Sequence, residues 1–165
     1  MTDSRTVQFI TGDKITFIKT TEETEGEYLH VRVELPPKKG NGLHSHPSYE
    51  EEFLCISGQL EITLGKEVLS LNPGESATAP KHAPHKFRNQ TDEPVIFEVI
   101  TKPPRNQEAF WRIIDALRKD GKTFKNGIPK NIWHIIYLLD LFETYPVIVP
   151  SSVQKMIISP LKKSS

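Results

Sequence analysis

The stretch of residues 44–58 reads HSHPSYEEEFLCISG and combines closely spaced histidines and glutamates with a strand-like apolar run. His44 and His46 are two positions apart, so both imidazoles point to the same face of an extended chain. Glu51 has the same parity as Phe53 if the strand runs on from there, which places its carboxylate on the inner face. The stretch therefore predicts two imidazoles and a carboxylate directed into one cavity.

A different register of this strand would direct another carboxylate into the cavity in place of Glu51. Glu50 and Glu52 flank Glu51 and have the opposite parity, so we expect their side chains on the outer face. A shift of the register by one residue exchanges the two faces. Glu50 is therefore the alternative carboxylate ligand.

A third imidazole comes from a later segment, PKHAPHKFRN at residues 80–89. His85 in this segment has to meet His44, His46 and Glu51 across the fold. Three neutral imidazoles and one carboxylate form a mixed nitrogen and oxygen donor set, which suits Mn, Fe, Ni, Cu, Co or Zn and leaves coordination positions open. Taken alone, the His-x-His pair is also compatible with two surface histidines.

The spacing of these residues resembles that of the cupin family. The first family motif is matched by His44-x-His46-x4-Glu51-x6-Gly58, and the second by Gly74-x5-Pro80-x-His82-x2-His85-x3-Asn89. The sequence departs from the motifs at two positions where the family has glycine, Lys38 and His82. Neither departure removes a ligand position.

The resemblance implies a jelly-roll β-barrel that holds one divalent transition metal ion (Fe, Mn, Ni, Zn, Co or Cu). The ligands it implies are His44, His46, Glu51 and His85. Family analogues suggest that Glu51 is a ligand that partly detaches and acts as a base, so Glu51 is also the candidate catalytic residue.

Short runs rich in β-branched and aromatic residues fill the first two thirds of the chain. They are ITFIKT (15–20), YLHVRVEL (28–35), EFLCIS (52–57), QLEITL (59–64) and VIFEVIT (95–101). Their lengths and the prolines and glycines between them are typical of strands in an all-β sandwich or barrel. The fold class is therefore mainly β, with a metal-binding barrel over residues 1–104.

The pattern changes to helical periodicity after Lys102-Pro103-Pro104. We expect helices at 106–119, capped by Asn106, at 131–144, capped by Asn131, and at 152–159. The helix at 131–144 is apolar on almost all sides, so one neighbour alone does not bury it. Residues 105–165 are therefore predicted to form a C-terminal helical extension that packs on the barrel or contributes to a homodimer interface.

Aromatic and histidine side chains near the candidate ligands are predicted to form a pocket for a small molecule. The candidates are Tyr49, Phe53, Phe87 and His82. For the three aromatic residues, the alternative is packing in the core. For His82, it is a turn at the surface.

Composition narrows the choice of partners. Lys plus Arg and Asp plus Glu both number 21, so the net charge is zero and no electrostatic footprint for nucleic acid is present. The single cysteine, Cys55, excludes an intrachain disulfide, and the start of the chain has no apolar signal run, so we expect a cytoplasmic protein. The apolar runs within 132–150 are too short for a transmembrane segment, and a peripheral membrane helix is the alternative to burial.

A barrel of this type hosts many activities, so the sequence leaves the function open. The first hypothesis is a metal-dependent oxygenase or isomerase that acts on a small molecule. The second is a metal-dependent binding or sensing module without turnover. The third is a structural barrel that retains a metal site.

Overall fold

The computed structural model describes residues 5–9, 12–125 and 127–146. Short strands make up the largest part of the regular structure, and two helices follow the last long strand. The elements are β1 Thr6–Gln8, β2 Lys14–Lys19, β3 Leu29–Leu35, β4 His44–Ser45, β5 Glu50–Ser57, β6 Leu60–Leu64, β7 Glu67–Leu71, β8 Ser76–Ala79, β9 His85–Arg88, β10 Val95–Lys102, α1 Gln107–Lys119, α2 Ile132–Phe142 and β11 Tyr145–Pro146. The mainly β fold class is confirmed.

The strands form two antiparallel sheets of the jelly-roll type. One sheet has six strands in the order β1-β2-β3-β10-β5-β8, and the other has five in the order β11-β4-β9-β6-β7. The jelly roll predicted from the sequence is confirmed, and among the described residues its two sheets remain separate and do not close into a continuous barrel. Strands that are distant in sequence lie side by side, which brings the two histidine segments into one sheet.

Alternation of buried and exposed side chains along the strands builds the core between the sheets. In β3 the buried positions are Leu29, Val31, Val33 and Leu35, and β10 alternates in the same way. In β5 the buried residues are Glu51, Phe53 and Cys55. A half-buried strand alternates buried and exposed side chains with a period of two residues. In β5 one of the inward positions is occupied by the carboxylate of Glu51.

Gly58 forms the tight turn between β5 and β6. Its φ of +82° lies in the left-handed region that glycine adopts without a steric penalty. A Cβ atom at this position would lie 3.0 Å from Cγ2 of Val95 and 3.2 Å from the carbonyl oxygen of Pro94. The last glycine of the first motif is therefore required by both backbone conformation and space.

The helices begin and end close to the predicted residues. Helix α1 spans Gln107–Lys119 with Asn106 at the predicted N-cap position, but the Asn106 side chain makes no capping hydrogen bond. Helix α2 spans Ile132–Phe142, and Asn131 caps it by accepting from the backbone N–H of Trp133 at 2.9 Å. The predicted helix at 152–159 lies outside the described residues.

Aromatic contacts join α1 to the six-stranded sheet and to the end of α2. Trp111 packs against Phe17 with ring centroids 6.4 Å apart. Phe110 lies 6.0 Å from Phe9 and stacks on Phe142 at 3.9 Å. Helix α1 therefore packs against the edge of the six-stranded sheet that carries β1 and β2.

The two tryptophans of the extension have different surroundings. Trp111 is buried, whereas Trp133 in α2 is 69% exposed. Ile132 and Tyr137 in α2 are also more than half exposed, and Leu138 is buried. Neither helix is long and apolar enough to cross a membrane.

Candidate metal centre

Two short strands and the start of β5 bring four candidate ligands together. His44 lies in β4, His46 follows it, Glu51 lies in β5, and His85 begins β9. One potential ligand atom from each of the four lies within 4.8 Å of all the others, and all four side chains are buried. The histidines from the two motifs meet because β4 pairs with β9, with His44 opposite His85.

The register of β5 determines which carboxylate enters the cluster. Glu51 is 8% exposed and lies opposite Ala79 of β8 and Thr101 of β10. Glu50, the alternative ligand from the sequence, is exposed. Because neighbouring side chains of a strand point to opposite faces, the structure directs Glu51 inward and Glu50 outward.

Each imidazole is oriented by a hydrogen bond at Nδ1. His44 Nδ1–H donates to the carbonyl oxygen of Gly42 at 2.7 Å, and His85 Nδ1–H donates to that of Ala83 at 2.9 Å. His46 Nδ1 lies 3.2 Å from the hydroxyl oxygen of Thr144. That hydroxyl donates to a backbone carbonyl oxygen, so it accepts from His46. All three Nε2 atoms are therefore available to a metal ion, as is usual for histidine ligands.

The carboxylate of Glu51 uses its two oxygens differently. Oε2 lies 3.2 Å from His46 Nε2 and 3.0 Å from His85 Nε2. Oε1 accepts a hydrogen bond of 2.9 Å from the side-chain amide of Gln107. One oxygen thus faces the imidazoles, and the other is held from α1.

The environment shifts the pKa of three of the four groups. Burial raises the pKa of Glu51, but the contacts of its carboxylate with His46 and His85 outweigh burial and hold that pKa well below its usual range. Burial, with the nearby charge of His85, lowers the pKa of His44 to about 4. For His85, burial lowers the pKa, but the contact with Glu51 raises it above the ordinary value. An ionised Glu51 and a neutral His44 are the protonation states that metal ligation requires.

The donor set fits a divalent transition metal ion. Its three imidazole nitrogens and one carboxylate oxygen suit Fe, Mn, Ni, Zn, Co or Cu, and fewer than six protein ligands leave positions open for small molecules. Four polar side chains buried at one point are expensive to keep unless they are paired or bind an ion. The cluster therefore meets the chemical requirements of a metal centre.

A cavity of about 270 Å³ lies beside the cluster, and His44 and Glu51 form part of its wall. Most of the other lining side chains are apolar. They are Phe9, Ile15, Val33, Leu43, Phe53, Phe87, Val99, Trp111 and Phe142. The cavity therefore presents an aromatic and aliphatic surface to any molecule that reaches the cluster.

The four predicted pocket residues lie in different places. Phe53 and Phe87 line the cavity. Tyr49 is buried, stacks on the His46 ring at 4.1 Å, and is not among the lining residues. His82 is exposed in a turn, and its backbone N–H donates to the carbonyl oxygen of His46 at 2.7 Å. The structure thus brings two of these residues to the cavity, and Tyr49 supports His46 from behind.

Two residues that hold the ligands come from the C-terminal extension and lie outside the motifs. Gln107 begins α1 and bonds Glu51, and Thr144 follows α2 and bonds His46. Gln107 has one detectable signal, since it precedes Phe110 and Ile114 by three and seven positions and so shares their buried helical stripe. A polar residue on such a stripe indicates a buried polar partner.

Comparison with protein-family models matches residues 31–101 to the cupin domain. Residues 31–101 form a cupin domain. The match contains both histidine segments and Glu51. It ends before α1, so the helical extension lies outside it.

One curated relative of the cupin domain is a quercetin 2,3-dioxygenase from Bacillus subtilis, 29% identical over 110 residues. The matched region makes up 65% of this chain and 32% of that protein. The chain therefore spans about a third of the length of the relative.

Solved structures of other proteins share the fold of this chain. An RmlC-like cupin from Shewanella frigidimarina is 16% identical with a TM-score of 0.55, and the alignment covers 66% of this chain and 92% of that one. A predicted oxalate decarboxylase from Thermotoga maritima is 16% identical with a TM-score of 0.54, covering 59% and 90% of the two chains. At this identity the likeness concerns the fold.

The two departures of this cupin domain from the family motifs occur at backbone positions that favour glycine. Lys38 has a φ of +58°, and His82 has a φ of +66°. Left-handed backbone is disfavoured for residues with a Cβ atom. The chain therefore keeps the turn geometry of the motifs while placing larger side chains there.

Proposed function

We propose that this chain is a metal-dependent cupin enzyme of the oxygenase type that acts on a small, largely apolar molecule. The observation that carries this proposal is a cluster of three histidines and one glutamate that forms part of the wall of an apolar cavity of about 270 Å³. His44, His46, Glu51 and His85 would hold the ion. When bound, the metal supplies Lewis-acid and redox chemistry at an open coordination position.

The cavity supports an aromatic or diketone-like substrate over a polar one. A sugar-like isomerase substrate carries many hydroxyl groups, each of which needs a partner once it is desolvated. Phe53 and Phe87 instead offer aromatic surface on which a planar molecule packs. A substrate with one or two oxygen donors at one end would direct them to the cluster and its apolar body to these rings.

The residues of the chain would bind, orient and exclude water in this scheme. The apolar walls keep bulk water from the cluster, which strengthens electrostatic interactions within it. Glu51 is the candidate base, because it is ionised and forms part of the cavity wall. A dioxygenase reaction places both atoms of O₂ in the organic product, so it needs no external reductant.

Oxygen consumption by the metal-loaded protein tests this proposal. Protein purified without oxygen is loaded with Fe²⁺, Mn²⁺, Ni²⁺, Co²⁺, Cu²⁺ or Zn²⁺ and then mixed with aerated buffer. The substrates offered are quercetin, which the similar Bacillus subtilis dioxygenase is named for, and small β-diketones. We expect oxygen uptake that requires both metal and organic substrate. The double variant His44→Ala/His85→Ala is the control and should consume none.

A metal-dependent binding or sensing module is the second candidate, because an apolar cavity beside the ligand cluster can hold a small molecule whether or not turnover occurs. Stoichiometric binding of a cavity ligand to the metal-loaded protein, without oxygen uptake or product by mass spectrometry, would favour it. No metal-dependent binding and no turnover would contradict both candidates.

A further inference from the structure

The side chain of Gln107 connects the helical extension to the candidate metal centre. It is 1% exposed, and its Nε2 donates to Glu51 Oε1 at 2.9 Å. Gln107 is the first residue of α1, where its backbone N–H bonds the carbonyl oxygen of Pro104 at 3.2 Å. A buried glutamine amide at the start of a helix thus meets a buried carboxylate of β5.

Thr101 fixes the direction of this amide. Its hydroxyl donates to Gln107 Oε1 at 2.8 Å, and Thr101 is itself 1% exposed. With the amide oxygen engaged by the hydroxyl, the NH₂ group points to the ionised carboxylate of Glu51, where an amide oxygen would be repelled. Thr101 lies directly opposite Glu51 in the β10–β5 pair, so the Gln107 amide is held between residues of two adjacent strands.

The hydrogen bond from Gln107 engages one carboxylate oxygen of Glu51, and the other oxygen faces the imidazoles. Glu51 Oε1 accepts from Gln107, whereas Oε2 lies within 3.2 Å of the Nε2 atoms of His46 and His85. We propose that Gln107 is a positioning residue that restricts Glu51 to metal ligation through Oε2 alone. This inference rests on the metal-binding part of the proposed function.

Loss of the amide would free the second oxygen of Glu51. The carboxylate would then rotate, and Oε1 would ligate together with Oε2 or draw the group away from the ion. Both changes alter the coordination number of the metal. Outer partners of metal ligands commonly change metal affinity by about 10- to 100-fold when they are removed.

Binding of Co²⁺ alone tests the inference, because its visible spectrum reports coordination number without any substrate. Wild type and the near-isosteric variant Gln107→Met are titrated with Co²⁺ in competition with a chromogenic chelator. We expect Gln107→Met to bind Co²⁺ about 10- to 100-fold more weakly, with a changed visible spectrum. Gln59→Met, which removes an exposed amide, is the matched control and should behave as wild type.

Variants of Thr101 separate positioning from general stability. Thr101→Val removes the hydroxyl that orients the amide and should shift the Co²⁺ spectrum in the same direction as Gln107→Met. Thr101→Ser keeps the hydroxyl and should restore both the spectrum and the affinity. If Gln107→Met does not fold, the two Thr101 variants still test whether the oriented amide of Gln107 positions Glu51.

The possible failures are distinguishable. If wild type binds Co²⁺ and either Gln107→Met or Thr101→Val retains its affinity and spectrum, the positioning role is overturned and the metal centre stands. If wild type binds no Co²⁺ or other divalent transition metal, the proposed metal centre and the positioning role both fail.

Discussion

His44 and His85 are directly opposed residues of the antiparallel pair formed by β4 and β9, and their imidazole rings lie 4.4 Å apart. The pair joins the two histidine segments of the cupin domain at one rung of a sheet. The register of β4 against β9 therefore determines whether the two histidine segments meet at the candidate metal centre.

Removing both opposed imidazoles should abolish metal binding. We expect wild type to carry close to one transition metal ion per chain, and His44→Ala/His85→Ala to carry none, because His46 and Glu51 alone are too few ligands for tight binding. Elemental analysis of protein purified without oxygen measures this. The control is His82→Ala, which removes an exposed histidine. Equal metal content in the double variant and wild type would refute the ligand assignment.

Substitution of the three consecutive glutamates should distinguish their roles. Glu51→Gln removes the buried carboxylate beside His46 and His85, so it should weaken metal binding far more than Glu50→Gln or Glu52→Gln. Competition with a chromogenic chelator gives the three affinities. Similar losses in all three variants, or a loss confined to Glu50→Gln, would show that the solution register differs from that of β5.

Glycine at position 82 should stabilise the protein. His82 has a φ of +66°, a conformation that costs a residue with a Cβ atom about 1–2 kcal/mol, whereas glycine adopts it freely. The added freedom of glycine in the unfolded chain offsets about 0.4–1 kcal/mol of this gain. We expect His82→Gly to raise the free energy of unfolding by up to about 1.5 kcal/mol in urea denaturation.

His82→Ala is the matched control for that gain, because it removes the imidazole but retains the Cβ atom. It should give no stabilisation. A gain of the same size in both variants would assign the effect to the imidazole and not to the backbone.

Asp115 should make the docking of α1 dependent on pH. Its Oδ1 accepts from the backbone N–H of Gln8 and from Arg118, and Lys119 lies 2.6 Å from Oδ2. Burial raises its pKa, but Lys119 and Arg118 outweigh burial and lower it below 3.8. A carboxylate with a depressed folded pKa contributes stability above its unfolded pKa, and this contribution is lost as the pH falls through the folded value.

The variant Asp115→Asn measures this contribution. At pH 7 it should lower the free energy of unfolding by about 1–3 kcal/mol, and the difference from wild type should shrink below about pH 4. Urea denaturation at pH 7, 5 and 3 gives the comparison. Asp120→Asn, at a side chain 58% exposed, is the control. A difference that is constant over this range would contradict the role of the charge.

The exposed apolar side chains of α2 should form a dimer interface. Trp133 and Tyr137 are one helical turn apart and are 69% and 55% exposed. Cyclic dimers are the commonest soluble oligomers, and burying such side chains against a second copy is favourable. We expect wild type to sediment as a dimer and Trp133→Glu/Tyr137→Glu as a folded monomer. Val68→Glu, at a residue 61% exposed on β7, is the control. A monomeric wild type would rule out this interface.

Sequence reasoning predicts the ligand cluster and five of the eleven described strands, β2, β3, β5, β6 and β10, for a physical reason. Period-two alternation and two spaced motifs are local signals, and the four clustered residues all belong to them. The Glu51 register also follows from parity. The roles of Gln107 and Thr144 depend on where the helical extension docks, and docking is a property of three-dimensional packing that no spacing encodes. The same holds for the separation of the sheets and for Tyr49, which packs behind His46 and not in the cavity wall.

The pairings of β4 bear on when the chain acquires its ion. His44 is paired with His85 on one side and with Pro146 on the other, so its backbone is fixed by segments far along the chain. Such distant pairings form late, because loop-closure entropy must be overcome first. Before these pairings form, the chain offers an ion only the ligands of the first motif, His44, His46 and Glu51. We therefore expect the metal supply around the finished protein, and not the supply at the ribosome, to decide which ion is loaded.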